Sequence, residues 1–85
     1  MIDATLVAEV SGVVRRAAKL PAHVAVDPES RLIEDLAIDS LDLVGVVLAV
    51  QDHFDVVIED DLVPSLRRIV DLADHVAKYR GLAAA

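Results

Sequence analysis

The sequence predicts an all-α fold: a four-helix bundle of three main helices and one short helix, with a long first loop. Three observations carry this. Apolar residues recur at helical spacing in three stretches, around Leu6–Ala17, Leu43–Phe54 and Ile69–Val76. No hairpin turn and no run of alternating apolar and polar residues marks a pair of strands. The 85 residues are 55% apolar but only 2% aromatic, enough for one small aliphatic core. Residues 1–85 therefore read as a single domain.

The first helix starts near Asp3, a good N-cap, and aligns Leu6, Val10, Val13, Val14 and Ala17 on one face. Arg15, Arg16 and Lys19 gather toward its end, where the helix dipole favours cations. Leu20-Pro21 stops it, because the residue before proline is pushed out of the α region. From Pro21 to about Ile38 runs the long loop, punctuated by Asp27-Pro28 and Ser30. Its Leu32, Ile33, Leu36 and Ile38 predict that it packs over the core.

The second helix, about Ser40–His53, carries two apolar stripes. Steps of 100° per residue put Leu43, Val46, Val47, Val50 and Phe54 on one face, and Leu41, Val44 and Leu48 roughly opposite, beside Gly45 and Asp52. Such a helix is either enclosed or keeps one face for a partner. A domain this small favours the partner face, with burial of Leu41, Val44 and Leu48 as the competing reading. LVGVVLAV is also rich in β-branched residues that suit a strand, but the missing alternation keeps it helical.

A short turn of helix over Asp60–Ser65 is made irregular by Pro64, which has no N–H to donate. The last helix runs from about Ile69 to Tyr79 with Ile69, Leu72, Ala73 and Val76 inward. Lys78 and Arg80 suit its C-terminus, Gly81 suits the C′ position, and Ala83–Ala85 should fray.

The net charge of −7 is unevenly spread. Residues 27–61 hold eleven carboxylates against Arg31 alone, whereas the segments on either side are slightly basic. A field of that kind steers basic partners to the middle segment. It argues against nucleic-acid binding, which depends on neutralising phosphates. The absence of cysteine excludes disulfides and thiolate metal sites. His23, His53 and His75 lack metal-ligand spacing, so no metal is expected, and His53 is explained by the dipole at its helix end. The longest run without a polar side chain, Leu43–Val50, is far too short for a membrane span. The first residues have no basic stretch ahead of a hydrophobic one, so a cytoplasmic monomer without membrane insertion is expected.

Asp39-Ser40-Leu41-Asp42 stands at the start of the two-faced helix, within the acidic segment. Here the chain resembles the acyl carrier proteins, whose mark is D-S-L-[DE]. The likeness extends through LIEDLAIDSLDLVGVVLAVQDHFDVVIEDD to LRRIVDLADHV, from about residue 32 to 76. The resemblance implies that Ser40 carries a covalent 4′-phosphopantetheine arm, attached by a separate phosphopantetheinyl transferase from coenzyme A with Mg²⁺. Acyl groups ride on its thiol as thioesters, and the chain itself is no enzyme. A helix N-terminus suits the phosphodiester, because its N–H groups lack partners and its dipole end is positive. Asp39 and Asp42 oppose that phosphate, so their role is to meet Mg²⁺ or basic residues of partners. With Leu41, Val44, Leu48 and Asp52 they form the expected partner-binding face, for the transferase and for acyl-processing enzymes with basic docking patches. The resemblance also implies an acyl chain slipping between helices, with Val46, Val47, Val50, Phe54, Ile58, Ile69 and Val76 as candidate lining.

Other readings stay open at this point. One makes Ser40 a plain N-cap of its helix, and another gives that role to Asp39. An aminoacyl or peptidyl carrier usually shows G-G-[HD]-S and less acid. An unmodified acidic adaptor would bind basic partner helices through Leu41, Val44 and Leu48. A serine hydrolase is rejected, for no G-x-S-x-G elbow exists. Three departures from the family pattern bear on function. Ala37 replaces the usual glycine before the motif, and Arg67-Arg68 replaces a capping serine or threonine before the last helix. Gly45, Gln51, Asp52 and His53 stand on the second helix where glutamates are common, which points to a dedicated pathway rather than bulk fatty-acid synthesis.

Overall fold

The computed structural model describes residues 3–84, with side chains from Asp3 to Tyr79. Three α-helices, α1 (Ala4–Ala17), α2 (Ser40–Phe54) and α3 (Ile69–Ala84), share one core, and a 3-10 helix over Asp60–Ser65 links α2 to α3. The expected all-α architecture is thus observed.

Helix α1 begins as its sequence predicts: the Asp3 carboxylate accepts the Thr5 N–H at 2.9 Å. It ends at Ala17, before the Leu20-Pro21 stop, because Lys19 takes a left-handed φ of 55°. Leu6, Val10, Val13 and Val14 are buried, as is Val7, which widens the predicted stripe. The helix packs against both α2 and α3. Arg15 does more than answer the dipole: its guanidinium donates to Pro21 O and Val24 O, at 3.0 and 2.7 Å, and folds the start of the loop back on the helix.

The long loop is fastened to the approach to α3. Leu32 N–H donates to Arg67 O at 2.8 Å, Ile69 N–H to Ser30 O at 3.1 Å and Val70 N–H to Pro28 O at 2.9 Å. Arg31 and Arg68 pair as an isolated β-bridge. Leu32, Leu36 and Ile38 enter the core as expected, but Ile33 is 51% exposed. Residues 32–36 form a turn closed by the Asp35 and Leu36 N–H groups on Arg31 O; Leu32 and Leu36 lie on its inner side and Ile33 on its outer side.

Helix α3 starts at Ile69 as predicted but continues beyond Tyr79 through Gly81 to Ala84, so Gly81 is not a C′ residue. A single helical glycine costs only about 1 kcal/mol, and the flanking Leu82, Ala83 and Ala84 are strong helix formers. Ala85 of the expected frayed tail lies outside the described residues. The cap lost at Arg67-Arg68 is supplied from inside the helix. Asp71 Oδ2 accepts both the Arg67 and Arg68 N–H groups, at 3.1 and 3.0 Å. Among the described residues, no helix is long and apolar enough to cross a membrane.

Candidate functional site

Asp39 caps α2 in extended conformation, and its Oδ1 accepts the Asp42 N–H at 2.8 Å. Asp39 is therefore the N-cap and Ser40 the first helical residue, which answers the question left open by the sequence. Ser40 is exposed, and no hydrogen bond to its hydroxyl occurs among the described residues. Its own N–H and that of Leu41 lie in the first turn, where no intrahelical acceptor exists. The site thus offers an accessible hydroxyl at the positive end of a helix, without a neighbouring base to make it a nucleophile.

Immediately before the site, Ile38 is buried and its N–H donates to Leu32 O at 3.1 Å. Ala37 adopts φ 56°. The turn that delivers Ser40 needs a left-handed residue, and alanine meets that need at a steric cost glycine avoids.

All six residues predicted to meet partners, Asp39, Leu41, Asp42, Val44, Leu48 and Asp52, are exposed. Leu41 is 84%, Val44 56% and Leu48 58% accessible. The reading that buried these three in the core is thereby overturned: Val46, Val47, Val50 and Phe54 fill the inward face of α2, and Leu41, Val44 and Leu48 stay outside it. His53, at the end of α2, also reaches Glu9 of α1, at 3.9 Å.

The seven candidate lining residues, Val46, Val47, Val50, Phe54, Ile58, Ile69 and Val76, come together in one closed core cluster. Open space lies beside them rather than among them. A cavity of about 70 Å³ between α2 and the 3-10 helix is lined by Val44, Val47, Leu48, Gln51, Asp60 and Val63. A larger one, about 510 Å³, lies between Leu43, the loop at Leu32–Glu34 and the Val63–Arg67 segment. Val63 borders both. Sequence reasoning missed Ile33 and Val63 as wall residues, since the first reads as core and the second has no local signal beside Pro64. Gln51 was noted only as a missing glutamate, yet its Oε1 accepts the Ile58 N–H at 2.8 Å and ties the end of α2 to the chain beyond it.

Perturbed ionisation lies away from Ser40, in the ties that hold the loop. Burial pushes the Asp71 carboxyl up, but the Arg68 side chain and the two backbone N–H groups outweigh it and leave the pKa below the ordinary 3.8. Hydrogen bonds from Arg31 likewise lower Asp35. His75 is buried, and its Nε2 donates to Val57 O at 3.1 Å, a structural role. No group of three or more potential metal ligands occurs among the described residues.

Comparison with known proteins bears on this geometry. A family model described as "Phosphopantetheine attachment site" matches residues 5–76. The acyl carrier protein of Syntrophobacter fumaroxidans is 42% identical over 55 residues, 65% of this chain and 68% of that protein. That of Thermobifida fusca is 40% identical over 53 residues, 62% and 67% of the two chains. The crystal structure of an acyl carrier protein from Thermotoga maritima superposes with a TM-score of 0.76, covering 93% of this chain and 91% of that one at 28% identity. A chain in the structure of the ishigamide ketosynthase/chain length factor shares the fold, with a TM-score of 0.69 over 93% and 99% of the two chains at 19% identity.

Proposed function

The chain belongs to the acyl carrier protein family, and on that premise we propose that Ser40 is its attachment residue. It is a carrier with a phosphopantetheine attachment site, not an enzyme. The observation that supports Ser40 is the accessible, unbonded hydroxyl in the first turn of α2, with Asp39 having taken over the capping role. The arm supplies a thiol on which acyl groups are held as thioesters. Ser40 would hold its phosphodiester at the positive end of α2, and Asp39 and Asp42 would be available there for Mg²⁺ or partner cations.

Leu41, Val44 and Leu48, with Asp39, Asp42 and Asp52, meet the transferase and later acyl-processing enzymes through basic patches surrounding an apolar centre. Long acyl chains enter among Val46, Val47, Val50, Phe54, Ile58, Ile69 and Val76. This reading draws support from the adjacent cavities and from the 3-10 helix, which contains no buried residue and lines both of them. The protein works in the cytoplasm as a monomer, in a dedicated pathway rather than bulk fatty-acid synthesis. The uncommonly apolar α2 surface supports that last point.

Incubation with coenzyme A, Mg²⁺ and a broad-specificity phosphopantetheinyl transferase tests the assignment. Mass spectrometry should show one arm on the wild type and none on Ser40→Ala; an arm on the variant would refute it. Turnover by general fatty-acid synthase enzymes equal to that of a housekeeping carrier would refute the dedicated pathway. Unchanged amide shifts of the seven lining residues between free-thiol and long-acyl forms would refute the acyl path.

A further inference from the structure

Gly45 lies inside α2 without any structural need for glycine. No described glycine has a positive φ, and a Cβ built at Gly45 would meet nothing within 4 Å. Glycine is also the poorest helix former after proline, so neither the helix nor the domain explains it. Its neighbours do suggest a reason. Leu41, Val44, Gly45 and Leu48 stand at i, i+3, i+4 and i+7, the four corners of the hole into which a side chain of a packed partner inserts. All four are exposed, and one corner has no side chain, which widens and deepens the hole.

We propose that Gly45 is a specificity-determining notch, in which the phosphopantetheinyl transferase seats one bulky apolar side chain, Leu, Met or Phe, flanked by Lys or Arg. The proposal rests on the assignment of Ser40 as the modified residue. Position identifies the occupant: an enzyme acting on Ser40 must cover the first turns of α2, and the hole begins at the very next residue. Charge agrees. Asp42 and Asp52 are exposed near the two ends of the hole, and Arg31 is the only lysine or arginine between residues 27 and 61. A cation beside the inserted side chain therefore finds Asp42 at the Leu41 end, with Asp52 beyond Leu48 sharing its surroundings with Arg16 of α1. Glutamate at position 45 would favour partners that dock by charge alone; glycine favours one that docks by shape.

Steady-state transfer by a broad-specificity phosphopantetheinyl transferase, with carrier concentration varied, tests this on Gly45→Ala and Gly45→Leu. Both substitutions replace glycine on an exposed helix surface, so both variants should melt at or above the wild-type temperature. Filling the hole should raise KM about tenfold or more for Gly45→Leu and a few-fold for Gly45→Ala, with kcat changed less than about twofold. A KM for Gly45→Leu within about twofold of wild type, while the arm is still added at Ser40, overturns the notch and leaves the Ser40 assignment standing. A wild-type chain that gains no arm refutes both.

Discussion

Replacing Ala37 by glycine should stabilise this protein, although glycine usually weakens a fold. Ala37 is exposed and has φ 56°, between the buried Leu36 and Ile38. The turn around it is fixed by Leu36 N–H to Arg31 O at 3.1 Å and Ile38 N–H to Leu32 O at 3.1 Å, so the backbone cannot relax without exposing core residues. A left-handed L-residue costs about 1–2 kcal/mol. Glycine removes that cost and gives back about 0.4–1 kcal/mol through the greater freedom of the unfolded chain. The net gain is about 0.5–1 kcal/mol, or a rise of about 2–8 °C in melting temperature for a chain of this size. Thermal and urea unfolding followed by circular dichroism measure it. Ala25→Gly in the same loop is the control: Ala25 is exposed without a positive φ, so there glycine should destabilise by about 0.5 kcal/mol. Ala37→Val should cost about 1 kcal/mol or more, because β-branched residues tolerate this region least. An Ala37→Gly variant that melts at or below the wild type would refute the reasoning.

Asp71→Ala removes the substitute cap of α3 and its Arg68 partner, and should cost about 1–2 kcal/mol at neutral pH. Because the folded pKa of Asp71 lies below 3.8, its charge-dependent stabilisation is complete well above pH 3.8 and is lost as pH falls through the lowered value. The gap between wild type and variant in urea midpoints should therefore narrow below about pH 4; a constant gap would contradict the ionic role. Gln51→Ala leaves the Ile58 N–H without its acceptor and should cost about 1–3 kcal/mol, with faster amide exchange at Ile58 as the direct readout. Leu72→Ala should lose about 2–5 kcal/mol, being fully buried, whereas Leu48→Ala should stay within about 0.5 kcal/mol despite carrying the same side chain.

Much of this molecule was legible because its helices obey local rules. Asp3 and Asp39 cap where small acidic residues cap best, and the 3.6-residue period separated Val46, Val47 and Val50 from Leu41, Val44 and Leu48. The exposure of the last three was legible only by the argument that so small a domain cannot enclose two faces of one helix. What escaped was non-local. Arg67-Arg68 reads as a missing cap, since the remedy comes from Asp71 in the following turn. Ile33 reads as core until the turn closed on Arg31 O is seen to place it on the outer side. The left-handed Lys19, which ends α1 before the proline does, has no signature in a side chain that tolerates this conformation poorly. The Gly81 error is of another kind: glycine after a basic residue resembles a stop, and strong helix formers on either side override it.

The two sides of the Ser40 helix are held by different means, and the difference suits a carrier. On one side, Ile38 is buried, Asp39 caps, and three backbone hydrogen bonds fasten the loop to the beginning of α3, reinforced by Arg68 between Glu29 and Asp71. A tether point must keep its place while different enzymes approach it, and these ties span residues far apart in sequence. On the other side, the 3-10 helix has no buried residue and no side-chain cap, and the bonds of Leu62, Ser65 and Leu66 are to neighbours three residues away. Local bonds of that kind survive when a segment moves as a unit. The acyl path proposed above would therefore open first at Val63, which borders both cavities, and would leave the ties on the Ser40 side intact.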